Sequence, residues 1–181
     1  WMLFEQAGSS LSLFAERNTD LTIAPGVTMT AAQTQSFNAG FIVLLALPFS
    51  AMWIGLAKAK LEPSTPVKFA LGLIQVGLGF FVLVFGAQFA GDDFQVPLIF
   101  LALLYLLHTT GELFLSPVGL SMITKLSPHR VVGLMMGVWF LSSSLAHILA
   151  AIIAQQTSSD TVAGQVVDLG GQLQTYVATF T

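Results

Sequence analysis

Two acidic residues, Glu5 and Glu112, lie inside apolar stretches of the sequence. Glu112 ends the polar run HTTGE, which begins at His108 in the middle of an otherwise apolar segment. His108 and Ser116 lie four residues before and after Glu112, so the three side chains share one face of a helix. If these segments cross a membrane, a carboxylate at that depth is costly and usually serves function, facing a bundle interior or a water-filled cavity. The alternative for Glu112 is a structural ion pair or an interhelical hydrogen bond.

A helix break is predicted at Pro117, directly after this polar face. Proline removes a backbone donor and leaves the carbonyl of Leu113 without its helical partner, and Gly111 and Gly119 bracket the position. Freed backbone groups beside a buried acid can serve a ligand. For Pro117 taken alone, the alternative is an ordinary helix kink.

The spacing of His108 and Glu112 is also compatible with a metal site. Such a site needs a third or fourth ligand, the chain has no Cys, and only His147 and Glu5 remain as candidates on other helices. We therefore expect no metal, and a role for His108 in a hydrogen bond or in proton movement. The sequence contains no phosphate loop, nucleophile elbow or zinc motif. This argues against an ATP-driven pump or a membrane hydrolase and predicts that the chain is not an enzyme.

The composition places these residues in a membrane. Only 8% of the 181 residues are charged and 55% are apolar, whereas a soluble domain carries about 25% charged residues. The hydrophobicity excludes intrinsic disorder, and the absence of Cys excludes a disulfide scaffold. A net charge of −3 without a basic patch disfavours a nucleic-acid partner. The sequence thus predicts an integral membrane protein with the lipid bilayer as its partner.

The elements that must position these residues are helices. Charge-free stretches such as 21–57 exceed the about 20 residues that span the hydrocarbon core, and the apolar runs lack the alternation of barrel strands. The first and the last apolar segments are too short to cross, so we expect a fragment of a longer polytopic protein, cut within a helix at both ends. A short interfacial helix is also expected over 162–173. We predict an all-α membrane fold with six helical segments, at 1–14, 36–57, 65–90, 96–124, 131–155 and 175–181.

The basic residues predict the orientation in the membrane. Five of the six flank two of the connections: Lys58, Lys60, Lys68, Lys125 and Arg130. Loops rich in Lys and Arg stay on the cytoplasmic side, so the loops near 58–68 and 125–130 are expected in the cytoplasm. Most of the acidic residues lie in the other connections, which we expect to be external.

Several longer motifs carry a resemblance to a known family. They are WMLFEQAGSS at 1–10, GELFLSPVG at 111–119, TKLSP at 124–128 and GLMMGVWF at 133–140. In these residues the sequence resembles the proton-dependent oligopeptide transporter family, and the likeness covers essentially the whole chain. It implies a multi-pass protein of the inner membrane. The implied fold is the C-terminal helical bundle of a major-facilitator fold, from about helix seven to helix eleven plus the start of helix twelve.

The resemblance also implies a function, the import of di- and tripeptides driven by protons through alternating access. Carried over residue by residue, it implies that Glu112 and Asn38 hold the N-terminal amine of the peptide. It implies that Glu5 pairs with a basic residue of the first helix and forms a proton-sensitive latch. The implied partner is the missing N-terminal half, which carries the Glu-x-x-Glu-Arg motif; the proton is the coupling ion, and no other cofactor is expected. Four residues are implied to line side-chain pockets: Trp1, Ser116, Trp139 and Phe140.

Three alternatives remain open at this point. Some relatives carry nitrate or other solutes, so another secondary transporter of the same architecture is the first. A non-transporting membrane subunit is the second, and it predicts Glu112 paired with another helix and no cavity. An ion channel is disfavoured because the sequence has no repeated or ring-like filter.

Overall fold

Apolar helices make up most of the chain in the computed structural model, which describes residues 1–157, 161–162, 165–166 and 168–181. Two 3-10 turns, Phe4–Gly8 and Ala87–Phe89, accompany them. The α-helices of the described part are α1 (Ser10–Asn18), α2 (Ala31–Thr34), α3 (Ser36–Lys58), α4 (Thr65–Gly86), α5 (Leu98–Leu126), α6 (Val132–Gln156) and α7 (Leu169–Phe180).

Four stretches of the described residues are long and apolar enough to cross a membrane. These stretches are Ala31–Lys58, Thr65–Phe89, Leu98–Leu126 and Val132–Gln156. They coincide with the four internal segments of the sequence prediction. The all-α membrane architecture is therefore confirmed.

The first segment differs from the single helix expected over 1–14. A 3-10 turn, Phe4–Gly8, is followed by α1, which begins at Ser10 and continues to Asn18. The backbone between them leaves the helical region at Ser9 (φ −130°, ψ −99°). The Ser9 hydroxyl donates a hydrogen bond to the carbonyl of Glu5 at 3.2 Å. Serine side chains compete with helical backbone bonds in this way, so the Gly-Ser-Ser run divides the segment.

The last helix also differs from the prediction. It spans Leu169–Phe180 instead of 175–181, and Asp168 caps it by accepting a hydrogen bond from the backbone N–H of Gly171 at 2.8 Å. The interfacial helix expected over 162–173 is not formed in its first described residues, because strands β5 (Thr161–Val162) and β6 (Gln165–Val166) pair there. Residues 163–164 and 167 of that expectation lie outside the described residues.

Short strands organise the end of the bundle opposite the lysine-rich turn between α3 and α4. Strand β1 (Thr19–Asp20) pairs in parallel with β4 (Val96–Pro97), and β2 (Thr22–Ala24) forms a hairpin with β3 (Val27–Thr28). The backbone N–H of Thr22 donates to Asp20 Oδ1 at 3.0 Å, and this hydrogen bond lowers the pKa of the Asp20 carboxyl.

The side chain of Asn18 ties three segments together at this same end. Its Nδ2 donates to the carbonyl oxygens of Phe94 (3.3 Å) and Leu169 (3.2 Å), and the residue is fully buried. The three residues belong to the end of α1, the lead into α5 and the start of α7. A buried amide that satisfies two backbone carbonyls in this way fixes the relative position of all three.

Close packing of α4 against α5 positions the polar face of α5. A Cβ added at any of three α4 glycines would come within 2.5 to 2.7 Å of an α5 side-chain atom. The spacing of seven residues places these glycines on one face of the helix, where they let the two backbones approach. They are Gly72, Gly79 and Gly86.

The buried core lies between α1, α4, α5 and α7. Phe14 of α1 packs edge-on against Tyr176 of α7 at 5.1 Å between ring centroids, and Tyr105 of α5 is 1% exposed. In contrast, α3 has no buried residue, and α6 buries only Ala146 and Ala150. The long apolar faces of α3 and α6 thus lie outside this core.

Candidate functional site

A hydrogen-bonded group links the first turns of α3 to the middle of α5. Asn38 Nδ2 donates to Glu112 Oε2 at 3.2 Å and to Thr109 Oγ1 at 3.0 Å. The Thr109 hydroxyl donates in turn to the carbonyl of Tyr105 at 2.7 Å. Among the described residues, no hydrogen bond reaches Glu112 Oε1. One carboxylate oxygen is therefore held in place, and the other is free to accept a hydrogen bond.

The Glu112 carboxylate borders a cavity of about 220 Å³. The second acid, Glu5, borders the same cavity, so two carboxylates far apart in sequence meet at one space. The described lining includes neither Lys nor Arg. The lining residues are Trp1, Phe4, Glu5, Ala7, Gln35, Asn38, Tyr105, His108 and Glu112.

His108 lies in the wall of this cavity as a buried side chain. It is 2% exposed, and its ring packs edge-on against Phe4 at 5.8 Å and Phe80 at 4.9 Å between centroids. A Cβ at Gly79 would stand 2.7 Å from His108 Cδ2. The structure thus places His108 and Glu112 at the same cavity, as their spacing predicts, and holds the imidazole in aromatic surroundings.

A second cavity, also of about 220 Å³, lies beside the first and is almost wholly apolar. Trp1 and Phe4 border both cavities and so form the wall between them. Trp1 meets Trp139 of α6 edge-on at 6.3 Å between ring centroids. The lining residues are Trp1, Phe4, Phe69, Leu73, Leu115 and Trp139.

Gly119 makes room for the Trp139 indole. A Cβ at position 119 would lie 2.5 Å from Trp139 Cη2. From the sequence, Gly119 is expected only to bracket a helix break at Pro117, but α5 runs without interruption from Leu98 to Leu126. The predicted break is thus corrected. Proline removes a single backbone donor, and the hydrogen bonds on either side keep the helix continuous.

Two of the implied pocket residues lie away from both cavities. Phe140 is 58% exposed, because neighbouring residues on a helix point about 100° apart and Trp139 faces inward. Ser116 is half-buried and borders neither cavity. Leu115 borders the apolar cavity instead, since it lies on the side of α5 that faces Gly72 of α4. The roles implied for Ser116 and Phe140 stay predictions.

The structure also reveals a contact that the sequence analysis missed. His147 Nδ1 of α6 lies 3.1 Å from Glu5 Oε2, with side-chain exposures of 63% and 27%. From the sequence alone, His147 is only a possible metal ligand. Within the described residues, no group of three or more His, Cys, Asp or Glu side chains could hold a metal ion. The signal that could have found the contact is an ionisable residue near the middle of an apolar helix.

Comparison with known proteins identifies the family. The family model described as POT family, PTR2, matches residues 1–170. The chain belongs to the POT family. Peptide transporter YePEPT of Yersinia enterocolitica subsp. palearctica is 40% identical to this POT-family chain over 162 residues, which is 88% of the chain and 32% of the relative. Dipeptide and tripeptide permease A of Serratia proteamaculans is 35% identical over 180 residues, covering 99% of the chain and 34% of the relative.

Solved structures show the same relationship at the level of the fold. A mutant of peptide transporter POT in complex with alafosfalin matches with a TM-score of 0.75 at 33% identity, covering 99% of the chain and 36% of the solved one. The predicted C-terminal bundle of a major-facilitator fold is therefore confirmed. The chain spans about a third of the length of the relatives that it matches.

Proposed function

We propose that the full-length protein is a proton-coupled symporter of di- and tripeptides that works by alternating access. This chain supplies the C-terminal half of its substrate site. The similar proteins named as a peptide transporter and as a dipeptide and tripeptide permease support the substrate class. The observation that carries the proposal is the Glu112 carboxylate, held by Asn38 at the edge of a cavity of about 220 Å³.

The chemistry of this cavity suits the amino end of a peptide. A buried cation needs an anionic partner, and hydrogen bonds between an ammonium group and a carboxylate are about twice as strong as neutral ones. Glu112 Oε1 accepts the ammonium in this proposal, while Asn38 keeps Oε2 in place. The described lining offers no Lys or Arg for the peptide carboxylate. That end is therefore assigned to the missing N-terminal half.

The neighbouring apolar cavity is assigned to a peptide side chain. It shares the wall formed by Trp1 and Phe4 with the polar cavity, so one ligand can occupy both spaces. Burial of an apolar side chain there is favourable by about 25 cal/mol per Å² of surface removed from water. Trp139, on the far wall, determines how large a side chain fits.

The two acids supply the coupling to protons. Glu112 pairs with the substrate amine. Glu5 pairs with a basic residue of the first helix of the missing N-terminal half and exchanges that partner for the coupling proton. Both border one cavity, so a positive charge that reaches either acid weakens the hold of the other acid on further cations. No cofactor beyond the proton is proposed.

The proposed site lies in a multi-pass protein of the inner membrane, with loops 58–68 and 125–130 in the cytoplasm. Lys58 ends α3, Lys68 lies in the first turn of α4, and Lys125 lies in the last turn of α5. Consecutive antiparallel helices bring these positions to one end of the bundle. Basic residues at one end support a cytoplasmic placement.

The test is uptake by the full-length protein in liposomes with an imposed proton gradient. Glu112→Gln is expected to reduce uptake of a labelled dipeptide at least about tenfold, since a hydrogen bond to a charged group contributes about 1.5–3 kcal/mol. Glu16→Gln, which neutralises an exposed carboxylate of α1, is the control and should transport normally. Undiminished uptake by the Glu112 variant would overturn the assignment, and competition by nitrate but not by dipeptides would favour a different substrate.

A further inference from the structure

An imidazole in the middle of an apolar helix contacts one of the two acids of the site. His147 lies near the centre of α6, which carries no Asp, Glu, Lys or Arg and no other His. Its Nδ1 is 3.1 Å from Glu5 Oε2. Ionisable side chains at membrane depth are costly, so one that has a defined partner points to a function.

The same two elements are joined by a second, neutral contact. Gln6 follows Glu5 in the 3-10 turn, and its Nε2 donates to the carbonyl of Ala150, one turn beyond His147 on α6, at 3.4 Å. Gln6 also accepts a hydrogen bond from the Ser10 hydroxyl and is fully buried. The turn and α6 therefore share one contact that depends on charge and one that does not. Loss of the first leaves the second in place.

The titratable groups around the pair are few. The polar cavity that Glu5 borders also contains Glu112, His108 and Tyr105, all from α5, and the uncharged Asn38 from α3. The elements that pack against the 3-10 turn or against α6 carry further ionisable residues at their ends or in the core: Glu16 and Arg17 of α1, Lys125 of α5 and Tyr176 of α7. Among these groups of the described residues, His147 is the one that contacts the Glu5 carboxylate.

We propose that His147 is the partner of Glu5 within this half of the transporter and sets the pH range of coupling. This inference rests on the proposed function. A cationic imidazole donates its Nδ1–H to the carboxylate and adds an ionic attraction that a neutral imidazole lacks. Histidine changes its charge within the physiological pH range, so the attraction strengthens as the medium becomes acidic.

The contact matters because His147 competes with another cation for the Glu5 carboxylate. In the proposed cycle Glu5 also pairs with a basic residue of the missing half, and one carboxylate cannot satisfy both cations equally. When His147 is cationic, it draws Glu5 toward α6 and so weakens the contact between the halves, which is fully released when Glu5 takes up the coupling proton.

Substitutions of opposite character test the proposal in the full-length protein. His147→Gln removes the competing cation, so release then depends on proton uptake by Glu5 alone. Half-maximal proton-driven dipeptide uptake should move toward acid by about one pH unit or more, because carboxylates ordinarily take up protons at lower pH than imidazoles do. His147→Arg supplies a permanent cation and should move it toward alkaline pH. A structural role alone does not produce shifts of opposite sign.

Two further measurements complete the experiment. His129→Gln alters an exposed histidine in the turn between α5 and α6, and it should keep the wild-type pH profile. The Tm of each purified variant, measured at pH 6 and at pH 8.5, should show a larger loss for His147→Gln at the lower pH. A wild type without peptide uptake overturns the proposed function together with the coupling role. Normal wild-type uptake with unshifted profiles for both His147 variants overturns the His147 proposal alone.

Discussion

The indole of Trp139 lies directly over Gly119, with only 2.5 Å between its Cη2 atom and the position that a Cβ at residue 119 would take. Two helices, α5 and α6, meet at this point, and the apolar cavity is bounded by the same indole. The glycine thus determines where the wall of the cavity stands.

Gly119→Ala should displace this wall. The added methyl group forces Trp139 to shift, and overpacking of this kind costs about 1–3 kcal/mol. We expect a lower Tm for the full-length protein and weaker inhibition of uptake by dipeptides with bulky apolar side chains. Gly137→Ala is the control on α6, where nothing lies within 4 Å of an added Cβ. If both variants have the same Tm and the same inhibition by dipeptides, the contact with Trp139 does not contribute to stability or to the shape of the cavity.

Asn38→Ala should weaken substrate binding without changing the charge of the site. The variant removes the donor that holds Glu112 Oε2 and Thr109 Oγ1. A hydrogen bond to a charged group contributes about 1.5–3 kcal/mol, so the KM for dipeptide uptake should rise at least about tenfold. Gln88→Ala, an exposed amide in the turn after α4, is the control. An unchanged KM in the Asn38 variant would contradict a role for this amide in the site.

Gly79→Ala should destabilise the packing of α4 on α5. The new Cβ would stand 2.7 Å from His108 Cδ2, and the buried ring cannot move away because Phe4 and Phe80 pack against it. The expected loss is about 1–3 kcal/mol, seen as a lower Tm of the full-length protein in detergent. Gly77→Ala lies on the same helix with nothing within 4 Å, and better helix propensity should leave it equal to wild type or slightly more stable.

Lys68→Met should loosen the connection between α3 and α4. The Lys68 ammonium pairs with Glu62 and lies 4.3 Å from the centre of the Trp53 ring, and the residue is buried. Loss of the cation–π contact alone is worth about 0.5–2 kcal/mol, so the Tm should fall. Lys58→Met removes an exposed lysine at the end of α3 and is the matched control. A similar Tm for both variants would indicate that the buried cation contributes nothing to stability.

The sequence predicts most where a charge or a cap marks the end of a helix. Lys58 and Lys125 bound apolar stretches, so the predicted ends of α3 and α5 agree with the structure to within two residues. The contact of Asn38 with Glu112 is also expected from the family resemblance. The two residues lie on long helices, and the family motifs determine the position of each residue along its helix. Ser9, in contrast, divides the first segment through local hydrogen bonds that hydrophobic periodicity does not reveal.

The remaining differences between prediction and structure concern the direction in which side chains point, which a single sequence specifies poorly. Trp139 and Phe140 are neighbours of the same chemical type, and only the position of α6 against Gly119 decides which of them faces inward. The contact of His147 with Glu5 joins residues from two segments with no shared pattern. Pairings of this kind depend on tertiary packing, so the sequence around either residue does not predict its partner.

The Asn18 amide has a mechanical consequence. It bonds backbone carbonyls that are 76 and 151 residues further along the chain, at Phe94 and at Leu169. Segments linked through one buried donor cannot slide past each other unless that donor loses its partners. The end of α1, the lead into α5 and the start of α7 are therefore coupled through one side chain, and a displacement of any one of them is passed to the other two.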